Sequence, residues 1–361
     1  MNKKLISLAV AAAVTAPAAA LADATLYGKT HVSIDWFEIK GSSPREEYKG
    51  WALNKGQIGK GNDRSNRLGV KGSEDLGGGL KAIYQVEFDI PLVNERDYDI
   101  DNGEQGGFKM RNSFVGLEGD FGTFLVGRHD TPLKISTSKL EMFDDTMADY
   151  EGTIGFDDIR ADNTIAYITP SFSGFQFAAA TIPGAASTLD GSENRNSDSL
   201  AEGYSLAAIY GNGPWHASAA YEVITDQFGN QVQAATFDTT DYKKWRVGLG
   251  VQDLNGFYLS AIYEKQQAFN FREKADSGKD NDADVWQGQI GYAFGNSMVK
   301  GMYGKNKPDA TNETKSWAIG VDHNFSKRTK AYALYTQVDV DKKGSDEGDW
   351  NGFSVGMIHS F

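Results

Sequence analysis

Connections of two lengths alternate along the whole chain, and few folds can use that pattern. Runs of about ten residues with apolar side chains at every second position read as strands. Short turns join them in pairs: "EDLGGG" (74–79), "EGDFG" (118–122), "PSFSG" (170–174), "GNGP" (211–214), "DLNG" (253–256), "FGNS" (294–297) and "FSKRT" (325–329). Gly, Asn, Asp and Ser dominate these turns, as tight hairpins require. Between them lie long connections at about 38–63, 90–107, 130–160, 183–201, 226–240, 268–282, 306–313 and 339–349. Seven short and eight long connections predict sixteen strands with both ends at the short-turn side. A β-sandwich has no reason to sort its connections this way. A closed antiparallel barrel that crosses a membrane does, at roughly 21 residues per tilted strand and connection.

The strands sort their faces accordingly. In 80–88, Leu80, Ala82, Tyr84, Val86 and Phe88 share one face, and Lys81, Ile83, Gln85 and Glu87 share the other. Arg67, Gly69 and Lys71 oppose Leu68 and Val70 in the same way. The sorting is necessary because Arg or Lys facing lipid at mid-membrane costs about 2–4 kcal/mol. Asn112 breaks the rule: it shares parity with Phe114, which predicts a place at an interface or subunit contact.

Both ends of the chain fit a barrel. "MNKKLISLAVAAAVTAPAAALADATLYG" opens with Lys3 and Lys4, continues through an apolar run from Leu5 to Val14, and reaches Ala20-Leu21-Ala22. That layout predicts a secretory signal peptide over 1–22, cleaved before Asp23, and a single barrel domain over 23–361. At the other end, "WNGFSVGMIHSF" alternates to its last residue. Phe353, Val355, Met357, His359 and Phe361 share a face. A membrane barrel must close, because an unpaired strand edge cannot be left in hydrocarbon. Strand 350–361 is therefore expected to pair with strand 24–37, with Phe361 in an aromatic girdle at the closing seam.

Composition narrows the function. No run approaches the ~20 apolar residues of a membrane helix. With no cysteine, neither disulfides nor thiolate metal sites can form, and no cofactor or metal site is expected. A net charge of −13 argues against nucleic acid, which needs a basic footprint. The 41 Gly and 43 aromatic residues (20 Phe, 16 Tyr, 7 Trp) suit tight turns and aromatic girdles. None of the five histidines sits in a nucleophile motif, so no catalytic residue is assigned. The acidic runs "DSGKDNDAD" (276–284) and "DVDKKGSDEGD" (339–349) read as solvated loop tips, and neither has the ligand spacing of an EF-hand.

The pieces "ATLYGKTHVSIDW", "SNRLGVKGSEDLGGGLKAIYQVE", "RNSFVGLEGDFGTFLVGRHDTPLK", "RADNTIAYITPSFSGFQFAAA", "WAIGVDHNFSKRTKAYALYTQVD" and "FSVGMIHSF" occur in this order and span the chain. In them the chain resembles the general diffusion porins of Gram-negative outer membranes, the neisserial and proteobacterial branch in particular. The resemblance implies an all-β, 16-stranded antiparallel transmembrane barrel with short periplasmic turns and long extracellular loops. It implies a homotrimer in outer-membrane lipid and lipopolysaccharide, each barrel passing ions and small hydrophilic solutes by passive diffusion. It further implies that the third long loop, 130–160, folds inward and narrows the channel.

That loop carries Glu141, Asp144, Asp145, Asp149, Glu151, Asp157 and Asp158. By similarity they face a basic wall. Arg67, Arg111 and Arg160 match the family's wall arginines best, with Lys81 and Lys109 nearby and Arg128 a weaker candidate at the loop's start. Arg64, of opposite parity to Arg67, is assigned to the strand end. Opposed rows of charge make a transverse field in a narrow aqueous passage. The wall cluster tilts the expected ion preference towards anions.

Overall fold

The computed structural model describes residues 24–41, 47–54, 64–93, 109–184, 199–225, 241–267, 282–309, 312–341 and 348–361. The leader and residues 276–281 and 342–347 of the two acidic runs lie outside the described residues. Sixteen antiparallel strands form one closed sheet. They are β1 (Thr25–Ile39), β2 (Tyr48–Leu53 and Arg67–Gly77), β3 (Leu80–Asp89), β4 (Lys109–Met110 and Ser113–Gly119), β5 (Gly122–Asp130) and β6 (Arg160–Ile168). Next come β7 (Phe175–Ile182), β8 (Gly203–Asn212), β9 (Trp215–Ile224), β10 (Tyr242–Leu254) and β11 (Phe257–Gln267). The last five are β12 (Ala283–Phe294), β13 (Ser297–Pro308), β14 (Glu313–Asn324), β15 (Thr329–Asp341) and β16 (Trp350–Ser360).

Each strand pairs with its sequence neighbours, and β1 closes on β16 in a register from Lys29 opposite Ser360 to Ile39 opposite Trp350. The chain's last residue joins the ladder. Gly28 N–H donates to Phe361 O at 3.0 Å, and Phe361 N–H donates back to Gly28 O at 3.1 Å. No edge is left to meet hydrocarbon.

Two strands are interrupted, and both gaps are filled by side chains. In β2 the segment Tyr48–Leu53 pairs with the upper half of β1 and Arg67–Gly77 with the lower half. Between them Asn54 and Asn66 accept from the backbone N–H groups of Ser33 (2.7 Å) and His31 (2.5 Å). Arg64 enters through this gap and is fully buried, with Nη2 2.9 Å from Asp35. It therefore belongs to the inner wall and not to a strand end, because the interruption removes it from strand parity.

The outer face is apolar throughout. Leu249, Leu259, Ile290, Ile319, Val355 and Met357 are exposed, which water would penalise and lipid does not. Exposed Phe121, Phe172, Trp215, Phe257, Phe294 and Phe325 mark the short turns, and Phe361 continues that girdle at the seam. At the opposite end aromatic pairs bridge adjacent strands: Trp245 with Tyr263, Trp286 with Tyr303, and Trp317 with Tyr335, at 5.0–5.5 Å between centroids. Asn112 departs from expectation. Its strand is bulged between Met110 and Ser113, so both Arg111 and Asn112 point inward, and Phe114 packs on the inward-facing Leu125, Ala166 and Ala180. The lipid-facing residues of β4 are Val115 and Leu117.

Candidate functional site

The connection from β5 to β6 is the part of the molecule that fills the barrel. Its two ends are tied together: Thr131 N–H donates to Ile159 O at 3.0 Å, beside the Asp130–Arg160 pairing. Two short helices give it shape. Helix α1 (Pro132–Thr137) begins with Thr131 as its cap and Pro132 in its first turn, where a missing N–H costs nothing. Helix α2 (Tyr150–Thr153) is capped by Asp149, whose carboxylate accepts from Glu151 N–H at 2.9 Å.

One side of the loop is sealed against the wall. Phe143 and Met147 are fully buried among Phe37, Met302, Ala318, Tyr332, Leu334 and Trp350. Leu140, Tyr150, Ile154 and Phe156 pack on Ile262 and Val285. An irregular backbone inside the barrel must have its carbonyls satisfied, and wall side chains do so. Gln289 Nε2 donates to Leu140 O at 3.0 Å, Lys300 Nζ to Met142 O at 2.5 Å, Asn306 Nδ2 to Ile154 O at 2.8 Å and Gln266 Nε2 to Gly155 O at 3.0 Å. Charge completes the seal. Arg246 is fully buried, with Nη1 2.6 Å from Asp158 and Nε 2.7 Å from Glu264. Lys244 Nζ reaches Glu222 at 2.8 Å and Asp157 at 3.2 Å.

The other side of the loop is wet. A cavity of about 470 Å³ separates it from the wall of β2 to β6, with Arg67, Arg111 and Arg160 on the wall and Asp144, Asp145, Asp149 and Glu151 on the loop. Asp145 binds both Lys29 and Arg67, the latter at 3.2 Å. Arg111 lies 2.9 Å from Glu87 and 3.7 Å from Asp89. Arg160 Nε is 3.0 Å from Asp130 and 2.9 Å from Asn112 Oδ1. Lys134, on α1, approaches Asp130 at 3.6 Å and Glu151 at 3.9 Å.

The loop's carboxyls are not equivalent. Burial opposes ionisation of Asp145, but Lys29 and then Arg67 overcome it and hold the carboxyl well below the usual range. Asp158 is likewise held low, by Arg246 and then Lys134 against burial. Burial pushes Glu141 well up, with Asp149 adding to it. Asp149 rises too, through burial and then Asp144 and Glu151. Asp144 is pushed up to about 6, by desolvation inside the barrel and then by Asp145 beside it. Its side chain is open to the passage, and among the described residues it forms no ion pair within 4.0 Å.

Of the basic residues singled out in the sequence, Arg67, Arg111 and Arg160 meet at this cavity and three others do not. Lys81 sits beside the 77–80 turn, 4.0 Å from Glu118, too far down its strand to reach the loop. Lys109 is exposed at the start of β4 and does not line the cavity. Arg128 lies at a bulge in β5, where it pairs with Asp162 at 2.6 Å and the Met110 carbonyl. Of the acids, Asp157 turns to Lys244 on the sealed side. Glu141 accepts from Phe143 N–H and Gln289 within that side. Sequence reading missed Lys29, Lys134, Lys244 and Arg246. The strand pattern held a signal for two of them: Lys244 and Arg246 alternate with Trp245 and Val247, which places them on the inner face.

A family model described as Gram-negative porin matches residues 7–343. The major outer membrane protein P.IB of Neisseria gonorrhoeae is 26% identical over 382 aligned residues, covering 100% of both chains. The solved anion-selective porin from Comamonas acidovorans superposes with a TM-score of 0.72 at 23% identity, covering 94% of this chain and 99% of that one. The trimer form of OmpT from Vibrio cholerae gives 0.61 at 16% identity, covering 94% and 99%.

Proposed function

Given that the chain belongs to the Gram-negative porin family and is an outer-membrane channel for passive diffusion of small hydrophilic solutes, we propose that the gap between the inward loop and the β2–β6 wall sets its size limit and ion preference. One observation carries this reading: cations and carboxylates around the gap are nearly matched, and the cluster of Asp145 with Lys29 and Arg67 spans it from loop to wall. Lys29 and Arg67 share Asp145, Arg160 and Lys134 share Asp130, and Arg111 lies between Glu87 and Asp89. Such matched, opposed charges give a strong transverse field and little net charge. Solutes with a dipole align in that field, and apolar solutes must break its ordered water. The working unit is a homotrimer in outer-membrane lipid and lipopolysaccharide, with the 23–361 barrel as its mature domain.

Selectivity then hangs on small imbalances. The test is the reversal potential of single channels in a planar bilayer under a tenfold KCl gradient. Arg67→Gln and Arg111→Gln are each expected to shift it towards cations, and Lys81→Gln to leave it in place. Equal shifts from all three would mean that charge anywhere on the inner wall counts, and that the gap has no special role.

A further inference from the structure

Six glycines on the inner face of the barrel form sockets for the loop. A methyl group on Gly250 would overlap Leu140, one on Gly304 would overlap Ile154, and one on Gly352 would overlap Met147. On Gly248 it would lie 2.7 Å from Leu140 Cδ1, on Gly320 3.2 Å from Phe143, and on Gly291 3.2 Å from Met142. None of the six has positive φ, so their backbones do not require glycine. Glycine also weakens a strand interior. Close approach of the loop is what these positions have in common.

The knobs have nowhere else to go. Leu140, Phe143, Met147 and Ile154 are at most 2% exposed, so rotation into free space is closed to them. The wall behind each glycine is held by the continuous ladder of the barrel. Open volume adjoins the loop on its other face, in the charged gap. We propose that these wall glycines are positioning residues that set the width of the passage: each socket lets the loop sit deeper against the wall, and filling one drives the loop into the gap. The inference rests on the reading that this gap limits flow.

The test compares wild type with Gly250→Ala, Gly304→Ala, the double variant Gly250→Ala/Leu140→Ala, and Gly288→Ala. Gly288 lies on the outer face of β12, where a methyl group meets nothing within 4 Å. Single-channel conductance and liposome swelling with sugars of graded size are the readouts. Both socket variants are expected to lose about a third of the conductance and to slow the larger sugars disproportionately. The double variant is expected to regain wild-type behaviour, since the shortened knob makes room for the methyl. Gly288→Ala is expected to match wild type. Socket variants that conduct and swell like wild type, or a double variant as slow as its single parent, would overturn the proposal. If neither socket variant folds, Leu140→Ala alone decides: the loop settles towards the wall and conductance rises, and an unchanged conductance counts against the proposal. A wild type without conductance steps or swelling would instead fault the channel reading itself.

Discussion

The inward loop has a sealed face and a wet face, and the same residue types do different work on each. On the sealed face Arg246, Lys244, Glu222 and Glu264 are at most 1% exposed. On the wet face Lys29 is 16% exposed and Arg67 25%. The pair distances are similar. Access to water is what separates a clamp from a field. Where water is excluded, two charges at 4 Å attract by about 4 kcal/mol or more, and neither can leave without stranding its partner. Where water enters, the attraction falls towards about 1 kcal/mol and the charges remain available to passing solutes.

The sharpest way to break this contrast is at Arg246. Arg246→Met leaves Asp158 and Glu264 without their cation, and removing one member of a buried pair costs about 3–5 kcal/mol. The loop should then detach from β10 and β11. A lower urea midpoint together with noisy, enlarged current steps is expected. Unaltered unfolding would mean that water reaches this pair and that the two faces do not differ. Met147→Ala should cost about 2–5 kcal/mol by opening a cavity in the sealed core. It should enlarge the conductance without moving the reversal potential, which separates loop position from loop charge.

Asp145→Asn should do the reverse. Its carboxylate is shared by two wall cations that hold it well below the usual range, so stability should fall by about 1.5–3 kcal/mol at neutral pH, less than at Arg246. Reversal potential should move clearly towards anions, because Lys29 and Arg67 lose their shared partner. The sign of its pH linkage follows from its depressed pKa. The Asp145 contribution is complete above the unfolded carboxylate value of about 4 and is lost only as pH falls further. Acid titration of the unfolding midpoint in wild type and variant would check this, and curves that converge near pH 7 would contradict it.

The barrel was legible in the sequence and the division of the loop was not. Period-two alternation and two-class connections report the strands because lipid and water impose opposite demands on neighbouring side chains. Arg67, Arg111 and Arg160 could be picked out because they match the wall arginines of the family that the chain resembles. Asn112 was misplaced because Phe114, which shares its parity, is an apolar residue on the inner face, and Arg64 because it enters through a gap in its strand where parity fails. Which loop acids face water depends on partners far along the chain, Lys244 for Asp157 and Lys29 for Asp145, which are 87 and 116 residues away. Nothing in "EMFDDTMADYEG" distinguishes Asp144 from Asp145, yet one is left open to the passage and the other is held by two cations.

That difference yields the smallest predicted effect. Asp144 is pushed up to about 6 while Asp145 stays ionised at any pH near neutrality. Because its folded value is raised, Asp144 favours the folded state more as pH falls through 6, so its protonation does not loosen the loop. Instead it removes one negative charge from a gap in which the rest are matched. Between pH 7.5 and 5 the reversal potential of wild type should drift towards anions by a few millivolts, with the unfolding midpoint level or slightly higher. Asp144→Asn should show the acid value at both pH values, and Asp145→Asn should weaken the drift, because it removes a charge that helps to hold Asp144 up. A drift that survives Asp144→Asn would place the titrating charge elsewhere, and Asp149 beside the passage and Glu141 on the sealed side, both raised, would be the next carboxyls to replace.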